Sequence, residues 1–127
     1  MEINADLQRA CNAALTSLME EIKGIKAVVI STEDGFEVAA RVENTAQVAR
    51  LSAMASSLAA LGAMAGEESQ LGVCRSVVME AEGGYIAIVQ VRRADVSLIV
   101  STVAGADAVV GQVLYYSKKA AAALQVA

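Results

Sequence analysis

Ile25-Lys26-Ala27-Val28-Val29-Ile30 leads through Ser31-Thr32 into Glu33-Asp34-Gly35, and then into Phe36-Glu37-Val38-Ala39-Ala40-Arg41-Val42-Glu43. The first block is β-branched and almost continuously apolar, the pattern of a strand covered on both faces. Glu33-Asp34-Gly35 is a hairpin signal, because Gly35 can take the positive φ that such turns demand. Beyond the turn, Phe36, Val38, Ala40 and Val42 alternate with Glu37, Ala39, Arg41 and Glu43, as in a strand with one wet face. The first strand therefore needs a layer on each side of it.

The flanking sequence supplies those layers. From Asn4 to Lys23, Leu7, Cys11, Ala14, Leu18 and Ile22 recur at helical spacing with Leu15 beside them; Asn4 suits the N-cap and Gly24 the stop. A second helix spans about Thr45 to Gly66. Asn44 and Gln47 fit its cap and third-position roles, and Val48, Leu51, Ala55, Leu58 and Gly62 form one stripe. Met54 and Leu61 lie beside that stripe, so the apolar surface is wider than one contact needs. Ser52, Ser56, Ala60 and Ala63 form a small-residue stripe, suited either to close approach of another helix or to flat packing on the chain's own sheet. After the polar loop Glu67 to Gln70 come three strand-like runs, Val73 to Ala81, Tyr85 to Arg92 and Val96 to Val103. The joints at Glu82-Gly83-Gly84 and Arg93-Ala94-Asp95 have hairpin length. A last helix is expected from Asp107 to Gln125, with Val110, Leu114, Ser117, Ala121 and Leu124 facing inward. The order helix, two strands, helix, three strands, helix makes one α+β domain over residues 1–127.

Composition removes most chemistry. Hydrophobic residues make up 56% of the 127 and charged residues 19%, which excludes a disordered chain. There is no histidine, so Ser-His-Asp triads, Cys-His pairs and imidazole metal ligands are excluded. A net charge of −4 and only four aromatic residues argue against nucleic-acid binding. Cys11 and Cys74 form no CxxC, and the acidic opening Met1-Glu2-Ile3-Asn4-Ala5-Asp6 is unlike a secretory leader. A cytoplasmic protein with reduced thiols is expected. The uncharged run between Arg50 and Glu67, broken by serines and Gly62, is read as too short for membrane insertion.

No motif adds catalysis. Neither GxGxxG nor GxxxxGK[ST] occurs, and Gly111 is followed by Gln112 where a phosphate loop needs lysine. Glu20-Glu21, Glu33-Asp34 and Glu67-Glu68 read as solvated surface, and Gly62-Ala63-Met64-Ala65-Gly66 as the end of a helix. Arg92-Arg93 and Lys118-Lys119 are the basic doublets and read as surface charge. No cofactor, metal site or catalytic residue is expected.

The element order, the hairpin Ala27 to Ala39, the segment Leu51-Ser52-Ala53-Met54-Ala55-Ser56-Ser57-Leu58, and Gly111-Gln112-Val113-Leu114-Tyr115 together resemble the roadblock/dynein light chain family. The resemblance runs from about Leu7 to Leu124. It implies a profilin-like roadblock fold: a five-stranded antiparallel sheet in the order 2-1-5-4-3, with the second helix on one face and the first and third on the other. It also implies a homodimer that binds a Ras-like small GTPase as activator, exchange-promoting scaffold or adaptor, in the manner of the family's bacterial branch. The family has no universal catalytic residue to carry over. Arg50 and Arg75 are the candidates for an arginine finger toward a GTPase, and Gln47, Arg50 and Met54 are the candidate GTPase contacts. A PAS- or profilin-like small-molecule sensor and a self-assembling structural protein are the alternatives.

In such a sheet the edges are strands two and three. Strand two carries Glu37, Arg41 and Glu43, whereas Val73, Cys74, Val77, Val78 and Met79 leave strand three apolar on both faces, interrupted by Arg75, Ser76 and Glu80. A second copy pairing there about a two-fold axis would give a ten-stranded sheet and set the two second helices side by side. The expected dimer interface is Met54, Leu58, Leu61, Val73, Arg75, Val77, Val78 and Met79.

Overall fold

The computed structural model describes residues 3–42 and 47–127. The expected cap at Asn44, helix start at Thr45 and edge charge at Glu43 lie outside the described residues. Helix α1 (Ala5–Glu21) begins where the Asn4 side chain accepts a hydrogen bond from the Leu7 amide at 2.8 Å. Gly24, at φ +83°, turns the chain into β1 (Ile25–Thr32). The hairpin to β2 (Glu37–Arg41) is tied by Thr32, whose hydroxyl donates to Asp34 at 2.6 Å and accepts from the Phe36 amide at 3.0 Å. Helix α2 (Val48–Glu68), strands β3 (Ser76–Ala81), β4 (Gly84–Val91) and β5 (Leu98–Gly105), and helix α3 (Val110–Gln125) follow.

All strand pairs are antiparallel and the sheet order is β2-β1-β5-β4-β3, as the resemblance implies. Helices α1 and α3 cover one face over a large core that includes Leu15, Leu18, Val28, Ile30, Leu98, Val100, Val113 and Leu124. Helix α2 covers the other face over a small core of Ala55, Ala59, Ile88 and Ile99. The expected layering is the observed one. The layers differ in quality. On the α3 side the buried Ser117 hydroxyl donates to Thr102 at 2.8 Å. On the α2 side Ser31, Ser52 and Ser101 are buried with no partner among the described residues. Such unmet groups weaken a contact.

Several sequence expectations are corrected. In β2 the fully buried residue is Ala39, beneath the α1 layer, and Phe36 is exposed, so the strand is not dry on the Phe36–Val42 side and wet on the other. Gln8 of α1 donates to the Val38 carbonyl at 2.8 Å, which fixes that helix over the strand. In α1, Leu15 is in the core and Ala14 at its margin. Helix α2 turns Val48, Ser52, Ala55 and Ala59 inward, leaving Leu51 and Leu58 half-buried. Ser56 donates to the Glu33 carbonyl at 2.7 Å, so the serines of the small-residue stripe face the chain's own sheet and hairpin, while Ala60 and Ala63 are exposed.

The strand and helix limits shift too. Val73, Cys74 and Arg75 precede β3, and β5 starts two residues later than expected and reaches Gly105, whose amide donates to Gly24 at 2.8 Å. That extension keeps Asp107 in a turn, with Ala108 donating to Gly105 at 3.0 Å, so α3 starts at Val110. Its inner face is Val113, Ser117, Ala120, Ala121 and Leu124; Val110 is exposed and Leu114 half-buried.

Gly66 is no stop signal. The helix passes it, and its carbonyl accepts from the Leu71 and Gly72 amides at 2.9 and 3.2 Å, while Gln70 takes the left-handed conformation at φ +59°. A methyl group at Gly66 would collide with the Gly72 carbonyl, whereas one at Gly111 meets open space. Gly66→Ala is therefore expected to destabilise the fold by about 2 kcal/mol or more, and Gly111→Ala to stabilise it by up to about 1 kcal/mol. Chemical denaturation of the two variants beside the parent checks both signs.

Candidate protein interface

Because its inward residues are small, α2 lies close to the sheet and its bulk points elsewhere. Met54, Leu61 and Met64 are 49%, 59% and 61% exposed. Val78 and Met79 of the open β3 edge are exposed as well, and Val73 and Leu71 stand out from the loop before it. Leu58 of α2 and Val77 of β3 both pack on the small core, which joins the two apolar surfaces. Close contact is possible because Gly62 faces this loop: a methyl there would stand 2.8 Å from the Cys74 sulfur and 2.9 Å from Val77. Of the expected interface residues, Leu58 and Val77 are half-buried; Met54, Leu61, Val73, Arg75, Val78 and Met79 are exposed.

Gln47 and Arg50 are exposed at the start of α2. Arg75 lines a groove with Gly62, Gly66 and Cys74, near the opposite end of that helix. Twelve residues of helix separate Arg50 from Gly62, about 18 Å at 1.5 Å per residue. The two arginines proposed as fingers do not converge. Arg75 shares a second depression with Arg92 and Lys118.

Arg93 is the residue that the sequence pattern missed. It reads as one half of a surface doublet, yet its side chain is only 10% exposed. It forms two parallel bonds to Asp95 at 2.9 and 3.0 Å and donates to the Leu124 and Ala127 carbonyls at 2.5 and 2.9 Å. A cation thus closes the end of α3, where helix carbonyls lack partners. The bond to Arg93 holds the Asp95 carboxyl below its usual range. Burial pushes the Cys11 thiol up to about 11, with Arg93 opposing weakly, so Cys11 is protonated at neutral pH and no nucleophile. Cys74 is half-buried on the α2 side of the sheet, with the sheet between it and Cys11; both cysteines are free. A cleft of about 300 Å³ between α1 and α3 is lined mainly by alanines; of its polar members, Ser17 and Lys119 are exposed and Tyr116 is half-buried. It has no converging buried polar groups of the kind that orient a small ligand.

The profile described as Roadblock/LC7 domain matches residues 12–102. No curated protein matches the sequence. Among solved structures, the Roadblock/LC7 domain from Streptomyces avermitilis is 18% identical with a TM-score of 0.80, over 90% of this chain and 93% of that one. The gliding protein MglB from Thermus thermophilus is 18% identical with a TM-score of 0.82, over 99% and 93%. An MglB described in a tetrameric arrangement gives 18% and 0.83, over 99% and 92%.

Removing the Arg93 clamp by Arg93→Ala is expected to cost about 1–2 kcal/mol, read by denaturant unfolding. The Asp95 carboxyl has a folded-state pKa below its unfolded value near 4, so its contribution is complete above about pH 4 and disappears as the pH falls through the lower folded value. Asp95→Asn is therefore expected to reduce the acid sensitivity of stability below about pH 4.

Proposed function

The chain belongs to the Roadblock/LC7 domain family, and from that premise we propose that it acts as a homodimeric regulator or scaffold of a Ras-like small GTPase, without catalysis of its own. The observation that carries this reading is the joined apolar surface of α2 and the open β3 edge. By length and composition alone α2 could cross a membrane. Its inner face is seated on the sheet and Ser56 is bonded to the hairpin, which supports a protein partner for its outer face. Isologous pairing of β3 with its copy satisfies the edge and brings the outward bulk of α2 against a second α2. A stable dimer of this type buries about 2,000 Å² or more.

The dimer would present the start of α2 twice, with Gln47, Arg50 and Met54 exposed for the GTPase. The GTP chemistry then belongs to the partner, and Arg50, on this surface, is the better placed of the two arginines to influence it. The setting is the cytoplasm, where both thiols stay reduced.

Light scattering at micromolar concentration is expected to give twice the chain mass. Val78→Pro, which removes a backbone donor from the edge, is expected to give monomers or aggregates. A panel of nucleotide-loaded small GTPases should include one retained by the wild-type protein and lost on Arg50→Glu. Retention of every bound GTPase by a folded Arg50→Glu variant would contradict the α2 contact.

A further inference from the structure

We propose that the second copy is locked at the β3 edge by charge: Glu80 and Glu82 at the turn end of one β3 dock in a basic pocket of the other copy, formed by Arg75, Arg92 and Lys118. This rests on the homodimer reading above and adds the register and the polar partner of that seam.

The pocket, about 380 Å³, opens where α3 passes the start of β3 and the end of β4, with Gln90, Val73 and Val89 also in its walls. It gathers three of the ten basic residues of a chain whose net charge is −4. Among the described residues the ion pairs are Arg9–Asp6 and Arg93–Asp95, so Arg75, Arg92 and Lys118 have no carboxylate partner among them. Three neighbouring cations without a counter-charge repel one another. An acidic partner relieves this.

The same edge carries the complement. From Arg75, just before β3, the chain runs through Val77, Val78 and Met79 to Glu80, Ala81 and, in the turn, Glu82, basic at one end, apolar in the middle and acidic at the other. A two-fold axis reverses the second strand, so each basic end meets an acidic end. The β3–β4 hairpin has a two-residue turn closing on the pair Ala81 and Gly84. By the alternation of antiparallel ladders, Ala81, Met79 and Val77 bond to β4, while Ser76, Val78 and Glu80 turn their backbone groups to the open edge. Centring the axis on Val78 pairs Val78 with itself, Val77 with Met79, Ser76 with Glu80 and Cys74 with Glu82. The neighbour's Glu80 then stands opposite Ser76, at a strand spacing of about 4.8 Å, and Ser76 pairs with Val89 in the wall of the basic pocket. A parallel arrangement would instead set Arg75 beside Arg75 and Glu80 beside Glu80. Guanidinium forks suit carboxylates at this range, and exposed pairs of this type choose orientation more than they add affinity.

Two full-length variants test the lock: one carries Arg75→Glu and Arg92→Glu, the other Glu80→Lys and Glu82→Lys. Circular dichroism verifies that each is folded, and sedimentation at low salt reads association. Each alone is expected to dimerise about tenfold or more weakly than wild type, since like charges then face across both ends of the seam. Mixed in equal amounts they should recover dimers, because opposite charges meet at both ends of the heterodimer. A milder pair, Arg75→Gln with Glu82→Gln, should keep the fold and lose much of the salt dependence of association. Dimerisation of both reversed variants at wild-type strength, or a mixture that associates no better than its components, would overturn the charge lock while leaving the homodimer standing. A wild-type monomer would overturn both.

Discussion

The close seating of α2 on the sheet governs the rest of the molecule. Its buried contacts are Val48, Ser52, Ala55 and Ala59, and Gly62 and Gly66 let the following loop come in behind them. A helix that turns small residues inward must carry its bulky ones elsewhere, and here Met54, Leu61 and Met64 face outward. The usual arrangement of a surface helix is only half kept: charge stays outside, but much of the apolar bulk is outside as well. The opposite layer behaves conventionally: α1 and α3 bury Leu7, Leu15, Leu18, Val113 and Leu124 against β1, β4 and β5. The α1/α3 side holds the large core, and the α2 side leaves an apolar surface exposed, the one assigned above to a protein partner.

The proposed function rests on that division. Exposed apolar area next to an unpaired strand is costly in water and prone to uncontrolled association. Charge is placed to control it: Arg75 stands at one end of the edge and Glu80 and Glu82 at the other, which in the proposed dimer would favour one orientation of the second copy. The α1/α3 side is closed in a different manner, with Arg93 binding both Asp95 and the end of α3. The two neighbours in the doublet Arg92-Arg93 thus have different environments, one exposed in a basic pocket and the other holding a helix end.

Much of the architecture is legible in the sequence. The apolar run of β1, the Gly35 turn and the Asn4 cap are local signals with direct physical causes, and the element order together with the resemblance leads to the sheet order. The features that escape a sequence reading depend on tertiary packing. Hydrophobic periodicity draws the phase of α2 through Leu51 and Leu58 because it assumes that bulk faces inward, whereas the buried positions are Ser52 and Ala59. Asp107 looks like a helix start, but pairing of Gly105 with Gly24 prolongs β5 and keeps it in a turn. Ala39 sits where alternation predicts a wet face, because α1 reaches over β2. The apolar character of β3 is readable, although the strand begins only at Ser76. Nothing in the sequence pattern shows that Arg75 shares a pocket with Arg92 and Lys118, residues brought together only by the passage of α3 over the end of the sheet.

The central claim is that the β3 edge is paired with a second copy in solution, and amide hydrogen exchange resolved to single residues tests it most directly. Val77, Met79 and Ala81 bond to β4 within one subunit and are protected in any case. Ser76, Val78 and Glu80 turn their amides outward, so only a partner strand can protect them. The account predicts that these three exchange slowly at concentrations that favour the dimer, and faster on dilution. Fast exchange at Ser76, Val78 and Glu80 at every concentration, beside slow exchange at Val77, Met79 and Ala81, would contradict it.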